Sequence, residues 1–258
     1  MAYRKDKDLE FFGDMTDEAL HDLVEAVTKD KDGKTWISEE LTGKDIYKKN
    51  YPKHSKYWQD VAAEIQCFGA NSIVTLFRGG EGVLYREVLE DVCDKAKVNY
   101  NSNQPVAKIE EQLLIKMLGD ATEAMSAEDR EKFAKTAGLN AAAGLTPEGL
   151  LFATQAAFLA GGMQSYKLTF MIANYMSRML LGRGLTFAAG ATVSRTLGVL
   201  AGPIGWTVTG AWTAFDLASP AFRVTLPAVI HVAMLRKQHQ AQREGIFRAF
   251  EDEFKDFR

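Results

Sequence analysis

Apolar residues recur every three or four positions through the first half of the chain, which is the spacing of amphipathic helices. The first such run follows Thr16, a residue type that accepts hydrogen bonds from free amides at helix N-termini. Similar runs begin at Trp58 and after Gly82, and Ser126 starts a capping-box pattern. No stretch alternates apolar and polar residues for long enough to require a β-sheet. The sequence therefore predicts an all-α protein whose first half is a helical bundle.

The second half is more apolar and begins with a long predicted helix. Thr146 is suited to cap it, and proline follows at the first helical position. Two runs here lack charge, Gly149 to Tyr166 with 18 residues and Thr196 to Phe215 with 20. About 20 apolar residues span a bilayer core, but Pro203 and several glycines interrupt the second run. The pattern therefore predicts a bent helical hairpin whose two helices meet at residues 202–205.

Charge is distributed unevenly between the two halves. From Gly149 to Leu235 the sequence holds five basic residues and a single acid, Asp216. Acids are concentrated before this stretch and after it. This asymmetry predicts an acidic, soluble helical domain at residues 1–141. It also predicts an apolar, glycine-rich helical region at residues 142–258 that packs on the first and ends in a charged tail helix.

Composition excludes several classes of function. A net charge of −3 and a pI near 5.9 provide no basic surface to neutralise phosphates, so nucleic acid is not a predicted partner. Cys67 and Cys93 are the two cysteines, too few for a disulfide framework or a zinc site. The charged N-terminal residues lack the apolar core of a secretory signal. We expect a bacterial, cytoplasmic protein without a metal or cofactor, and its oligomeric state is left open.

One turn has the spacing of a calcium-binding loop. Asp30, Asp32, Gly33 and Glu39 fall at the expected loop positions, but Thr28 stands where a carboxylate should ligate the ion. Neighbouring lysines also disfavour a cation. We therefore interpret the segment as a polar turn in which the glycine adopts a positive φ angle.

The polar residues do not form a recognisable catalytic pattern. The four histidines are far apart in sequence, and His231 lies among apolar residues, as a core or interface histidine would. The adjacent pair Glu110 and Glu111 is expected to point to different helix faces and to be exposed to solvent, rather than to act in paired acid–base chemistry. No catalytic residue is predicted.

A face of small residues is the most specific pattern in the second half. Its members recur every four positions: Gly190, Ser194, Gly198 and Gly202. Pro203 and Gly205 follow at the predicted bend. Small residues at this spacing let two helix backbones approach closely, either in a protein core or in a bilayer. Four arginines are predicted to meet anionic lipid headgroups if the membrane interpretation holds: Arg178, Arg183, Arg195 and Arg223.

Several sequence blocks, in the same order, resemble the bacterial YaaW family. They are residues 3–9, 58–64, 68–73 (FGANSI), 78–79, 85–86, 111–114 (EQLL), 201–205 (AGPIG) and 222–229 (FRVTLPAV). The resemblance covers most of the chain, and part of that family is similar to the ubiquinol-cytochrome c chaperone module, a helical assembly factor. It implies an intracellular helical protein that handles proteins or membranes. It implies no catalytic residues.

Two functions of different classes follow from these patterns. The first is a non-enzymatic helical protein that associates with an anionic inner membrane through its glycine-rich C-terminal helices, with conditional insertion or permeabilisation. The alternative is a soluble assembly chaperone or protein-interaction scaffold, in which the apolar half is an ordinary core and the partner is a protein. An enzyme is a third interpretation, and it requires a pocket that the sequence does not indicate.

Overall fold

The computed structural model describes residues 2–36, 39–68, 82–123, 125–139, 145–186 and 220–245. The α-helices in these ranges are α1 (Asp17–Thr28), α2 (Asp45–Asn50), α3 (Trp58–Phe68), α4 (Tyr85–Lys95), α5 (Val106–Thr122), α6 (Ala127–Ala137), α7 (Pro147–Ala160), α8 (Gly162–Leu181) and α9 (Pro220–Arg243). Short 3-10 turns lie at residues 10–14, 41–43 and 54–57. The described ranges contain no β-strand, and the all-α prediction is confirmed.

Side-chain caps begin three of these helices. Thr16, Ser126 and Thr146 each accept a hydrogen bond from the backbone amide three residues further on, at 3.2, 3.1 and 3.1 Å. Each cap satisfies an amide that has no partner within its own helix. The predicted starts of α1, α6 and α7 are confirmed.

The uncharged run from Gly149 to Tyr166 forms parts of two helices instead of one long helix. Gly161 has a φ angle of +71° and Gly162 one of +61°. Side chains with a Cβ atom rarely adopt this left-handed conformation, so glycine is suited to the break between α7 and α8. After the break the chain changes direction, so that most residues of α8 are buried in the core whereas α7 lies at the surface.

Helix α9 lies at the centre of the fold. It packs most extensively on α8 and α1, and it also contacts α3, α4 and α5. Residues of both halves of the chain contribute to one core, among them Leu23 of α1 and Val229 of α9. The division at residues 141 and 142 stays a prediction. His231 is buried in α9 with Nδ1 2.7 Å from the Pro227 carbonyl oxygen, so the prediction of a core histidine is confirmed.

The segment after α1 is a polar turn, as predicted. Asp30 Oδ1 accepts hydrogen bonds from the amides of Asp32 (2.9 Å) and Lys34 (2.8 Å), and Gly33 has a φ angle of +76°. The Asp30 carboxylate therefore stabilises the turn through hydrogen bonds to its own backbone amides. Among the residues that the structure describes, no group of three or more His, Cys, Asp or Glu side chains could hold a metal ion.

The prediction of solvent exposure for Glu110 and Glu111 is wrong. They are only 3% and 6% exposed. Arg236 Nε lies 2.8 Å from Glu110 Oε2, and Lys237 Nζ lies 2.6 Å from Glu111 Oε1. Lys108 of the same helix also lies 2.8 Å from Glu111 Oε2. The cation of Glu110 comes from α9, far along the sequence, so the helical pattern around that acid could not indicate its burial.

The Arg236 guanidinium connects four parts of the chain. Besides Glu110 of α5, it donates a hydrogen bond of 2.8 Å to the Asp8 carbonyl oxygen and lies 4.8 Å above the ring of Phe11. The Tyr85 hydroxyl of α4 donates to the second Glu110 oxygen at 2.7 Å. The N-terminal segment, α4, α5 and α9 are thus joined through one buried polar cluster, which we call the Arg236 cluster.

Candidate functional site

The outer face of α7 exposes large apolar side chains to solvent. Phe152 is 74% exposed and Leu159 is 80% exposed, and Ala156 and Ala160 are exposed beside them. These four residues form the α7 apolar face. Leu150 and Phe158 point to the opposite side of the helix and are buried. Exposed apolar surface of this kind marks contact sites for proteins or membranes more often than a scattered single residue does.

Helix geometry places the two large side chains in register. Positions 152 and 159 are seven residues apart, which corresponds to about two turns and roughly 10 Å along the axis. Two other large apolar side chains are exposed in the described ranges, Ile46 at 39% and Tyr51 at 44%. Both are far less exposed than Phe152 and Leu159, so α7 presents the most prominent apolar surface of the described residues.

A groove of about 610 Å³ adjoins this face, between α5 and the N-terminal half of α7. Ile115 and Asp120 line it from α5, and Glu148, Leu151 and Gln155 line it from α7. Glu148 lies one helical turn before Phe152, so the groove and the α7 apolar face are continuous along one helix. We call this cleft the α5/α7 groove.

The α5/α7 groove is acidic where α5 ends. Asp120, Glu123 and Glu148 line it with a single cation, Lys116, whose Nζ already lies 2.6 Å from Asp120 Oδ2. Glu123 and Glu148 are exposed and form no ion pair within the described part of the chain. The last turn of α5 also lacks a basic residue. The negative end of the helix dipole therefore adds to the carboxylates instead of being offset.

The thiols are not suited to nucleophilic chemistry. Burial raises the pKa of Cys67 to about 11 and the pKa of Cys93 to about 12. A nucleophilic cysteine requires a lowered pKa, because the thiolate is the reactive species. Both residues therefore behave as small apolar side chains.

The small-residue face predicted from the sequence lies outside the described residues. This applies to seven predicted site residues: Gly190, Ser194, Arg195, Gly198, Gly202, Pro203 and Gly205. The run from Thr196 to Phe215 lies outside them as well. Within the described ranges, no helix combines the length and the apolar character needed to cross a membrane. The role of these residues in helix packing or membrane binding stays a prediction.

The other three predicted site residues lie within the described ranges, with Arg178 in α8, Arg183 shortly after it and Arg223 in α9. Arg178 and Arg223 are exposed. Arg183 lies on the C-terminal end of α1, where its Nη2 donates to the carbonyl oxygens of Glu25 (2.8 Å) and Lys29 (3.3 Å). Arg183 therefore adds side-chain hydrogen bonds to carbonyl groups at the C-terminal end of α1, where the negative end of the helix dipole favours a cation. Its predicted contact with lipid headgroups stays a prediction.

Sequence comparison places the chain among bacterial relatives of nearly equal length. A UPF0174 protein of Helicobacter pylori strain J99 is 41% identical over 244 residues, which cover 95% of this chain and 96% of the relative. The chain belongs to the UPF0174 family. Another UPF0174 member, YaaW of Escherichia coli strain K12, is 32% identical over 247 residues, covering 93% and 97% of the two chains. The resemblance to the YaaW family is confirmed.

Two family models match this UPF0174 chain. One is described as Ubiquinol-cytochrome C chaperone and matches residues 53–230. The other is described as a domain of unknown function (DUF3944) and matches residues 3–37. No solved structure matches the chain. The first model spans α5 and α7, so the α5/α7 groove and the α7 apolar face lie within the chaperone match.

Sequence reasoning did not identify the α7 apolar face as a site, although one signal was available. The uncharged run from Gly149 to Tyr166 contains both Phe152 and Leu159. The same helix carries buried residues on its other side, among them Leu150 and Phe158. A helix that is apolar on all sides is ordinarily buried, so the sequence pattern could not indicate which side faces solvent.

Proposed function

We propose that this UPF0174 protein is a non-enzymatic, chaperone-like protein that binds an apolar helical segment of another protein on the α7 apolar face. The observation that carries the proposal is the exposure of Phe152 and Leu159, 74% and 80%, on one side of a helix. The match of residues 53–230 to the chaperone model supports it.

The spacing of the two side chains fits a helical partner. A helix that lies along α7 presents apolar residues at every third or fourth position, and these can cover anchors that are two turns apart. An aromatic ring such as Phe152 contributes strongly when a partner removes it from water. The exposed Ala156 between the anchors and Ala160 after them allow the partner backbone to approach closely.

Membrane association through the second half is the second candidate. It is supported by the exposed Arg178 and Arg223 and by the small-residue pattern at residues 190–202. Flotation with anionic vesicles at neutral and acid pH tests it. Absence of both flotation and dye release would contradict this candidate.

We expect the double substitution Phe152→Ser and Leu159→Ser to abolish binding of an apolar helical probe. The probe is a labelled synthetic amphipathic peptide with leucines at helical spacing, followed by fluorescence anisotropy. We expect its affinity to fall at least about tenfold, which corresponds to about 1.4 kcal/mol. Stability should change by no more than about 0.5 kcal/mol in urea unfolding, because both side chains are exposed.

Ile46→Ser is the matched control, because it removes an exposed apolar side chain from α2. We expect this variant to bind the peptide like the unmodified protein. Equal binding by all three proteins would contradict the proposed function. Dimerisation of the free protein that disappears in the α7 double variant would also contradict it, since a second copy would then be the natural occupant of the face.

A further inference from the structure

We infer that the segment bound on the α7 apolar face is basic at one end, and that this end lies at the C-terminal end of α5 against Glu123 and Glu148. The inference rests on the proposed function and adds the chemical class of the partner. It predicts an amphipathic helix with one apolar face and a terminal group of lysines or arginines.

The first observation is the charge of the α5/α7 groove. Its lining contains three carboxylates and one ammonium group. Lys116 is already paired with Asp120 at 2.6 Å. The carboxylates of Glu123 and Glu148 form no ion pair within the described ranges, and both are exposed to solvent. Two negative charges of the groove are therefore available to a basic partner.

The second observation is the position of these charges on the helices. Asp120 lies in the last turn of α5, and Glu123 follows its last helical residue. Acids at a helix C-terminus are unfavourable because the dipole is negative there. The order of the Lys116–Asp120 pair, with lysine first, is the weaker orientation for residues four apart. A cation bound at this end relieves the repulsion, whereas an anion increases it.

The third observation is the geometry of α7. Glu148 and Phe152 lie one turn apart on the same side of the helix, and Leu159 follows two turns later. From position 148 to position 159 the helix extends roughly 16 Å. A partner helix of about three to four turns therefore reaches from the carboxylates to Leu159 with its apolar residues on the α7 face.

The same charges disfavour two other occupants. An anionic membrane would bring phosphate groups towards Glu123 and Glu148, and like charges facing each other oppose association. A second copy of this chain would bring an equally acidic α5/α7 groove to the interface. A basic segment is the occupant whose charge complements this surface.

The test uses three synthetic peptides with the same leucine face and either lysines, glutamates or neutral glutamines at one end. We expect the lysine peptide to bind about tenfold more tightly than the glutamate peptide at low ionic strength. The difference should shrink as salt is added, because exposed charges are screened. Equal affinities for the lysine and glutamate peptides would overturn the inference.

A charge-reversed variant identifies the responsible residues. In the double variant Glu123→Lys and Glu148→Lys, we expect the order of the lysine and glutamate peptides to reverse. The control is the double variant Asp32→Lys and Glu244→Lys, which changes the net charge by the same amount at exposed positions outside the groove. We expect the control to keep the original order.

The outcomes separate this inference from the proposed function. Suppose that the Phe152→Ser and Leu159→Ser variant binds none of the three peptides, while charge reversal at Glu123 and Glu148 does not change their relative affinities. The proposed function then stands, and the inference of a basic partner is wrong. If the control variant reverses the order as well, net charge is responsible and the inference is wrong. If none of the peptides binds the unmodified protein, the proposed function falls and the inference falls with it.

Discussion

We expect replacement of Arg236 by alanine to lower the free energy of unfolding by about 3–5 kcal/mol. Arg236 is 12% exposed and Glu110 is 3% exposed, and their side chains meet at 2.8 Å. Burial lowers the pKa of Arg236, but Glu110 and Tyr85 more than offset this. The pKa is therefore raised overall, and the guanidinium stays charged. Removing it leaves the Glu110 carboxylate buried without its cation, which is far costlier than the loss of an exposed pair.

Urea unfolding of the single and double variants measures this effect. The double variant Arg236→Met and Glu110→Leu fills the space with apolar atoms and leaves no unpaired charge, so we expect it to regain about half of the lost stability or more. Lys95→Ala is the control, because it removes an exposed ion pair. Lys95 Nζ lies 2.6 Å from Asp91 Oδ2, and the two side chains are 41% and 43% exposed. We expect it to cost less than about 0.5 kcal/mol. Equal losses for Arg236→Ala and Lys95→Ala would contradict a structural role for the Arg236 cluster.

The second large effect is expected at His54, whose ring is buried between α1 and the 3-10 turn that carries it. Its Nε2 lies 3.0 Å from His21 Nδ1, and its Nδ1 lies 2.6 Å from the Tyr57 hydroxyl. The ring is 1% exposed. A neutral imidazole has one donor and one acceptor nitrogen, and this arrangement uses both.

The environment of His54 disfavours its protonated form. The pKa of His54 is lowered to about 4. Burial is the main cause and the neighbouring His21 acts in the same direction, whereas Asp17, Glu25 and Glu18 oppose them. The unfolded chain takes up the proton near the ordinary pKa of 6.5. Stability from the neutral ring is therefore complete above pH 6.5 and is lost as the pH falls towards 4. The loss between pH 7.5 and 4.5 is about 2–3 kcal/mol.

His54→Gln tests this expectation, because an amide also offers one donor and one acceptor. We expect the difference in unfolding free energy between pH 7.5 and pH 4.5 to change by about 2–3 kcal/mol relative to the unmodified protein. His239→Gln removes a histidine that lies 3.0 Å from Asp14 near the surface and serves as the control. Identical pH profiles for the unmodified protein and the His54 variant would show that this ring does not govern acid sensitivity.

The pH dependence of stability must be compared between variants, because another buried group, Glu64, stabilises the fold at low pH instead of at high pH. Burial raises the pKa of Glu64 to about 7, although the Glu40 amide, which donates to Glu64 Oε1 at 3.0 Å, lowers it. Its contribution is complete below its ordinary pKa of 4.5 and is lost as the pH rises through 7. Burial also lowers the pKa of His231, which adds to the effect of His54. The profile of the unmodified protein is the sum of these contributions.

Local features of the fold could be predicted with good agreement. The caps Thr16, Ser126 and Thr146 act on an amide three residues away, so they mark helix starts whatever surrounds the helix. The turn around Asp30 is local for the same reason. The candidate site could not be predicted from the sequence. An uncharged run shows that a helix is apolar, but it does not show which of its residues neighbouring helices cover.

By itself the sequence determined the all-α class, the capped starts of α1, α6 and α7, and the resemblance to the YaaW family, because these depend on residues close in sequence or on the order of motifs. Only the tertiary structure decided that Glu110 is buried, since its partner Arg236 lies 126 positions further along the chain. It also decided that Phe152 and Leu159 are exposed while Phe158 is buried. Burial is a property of the packed helices together, and no single helix specifies it.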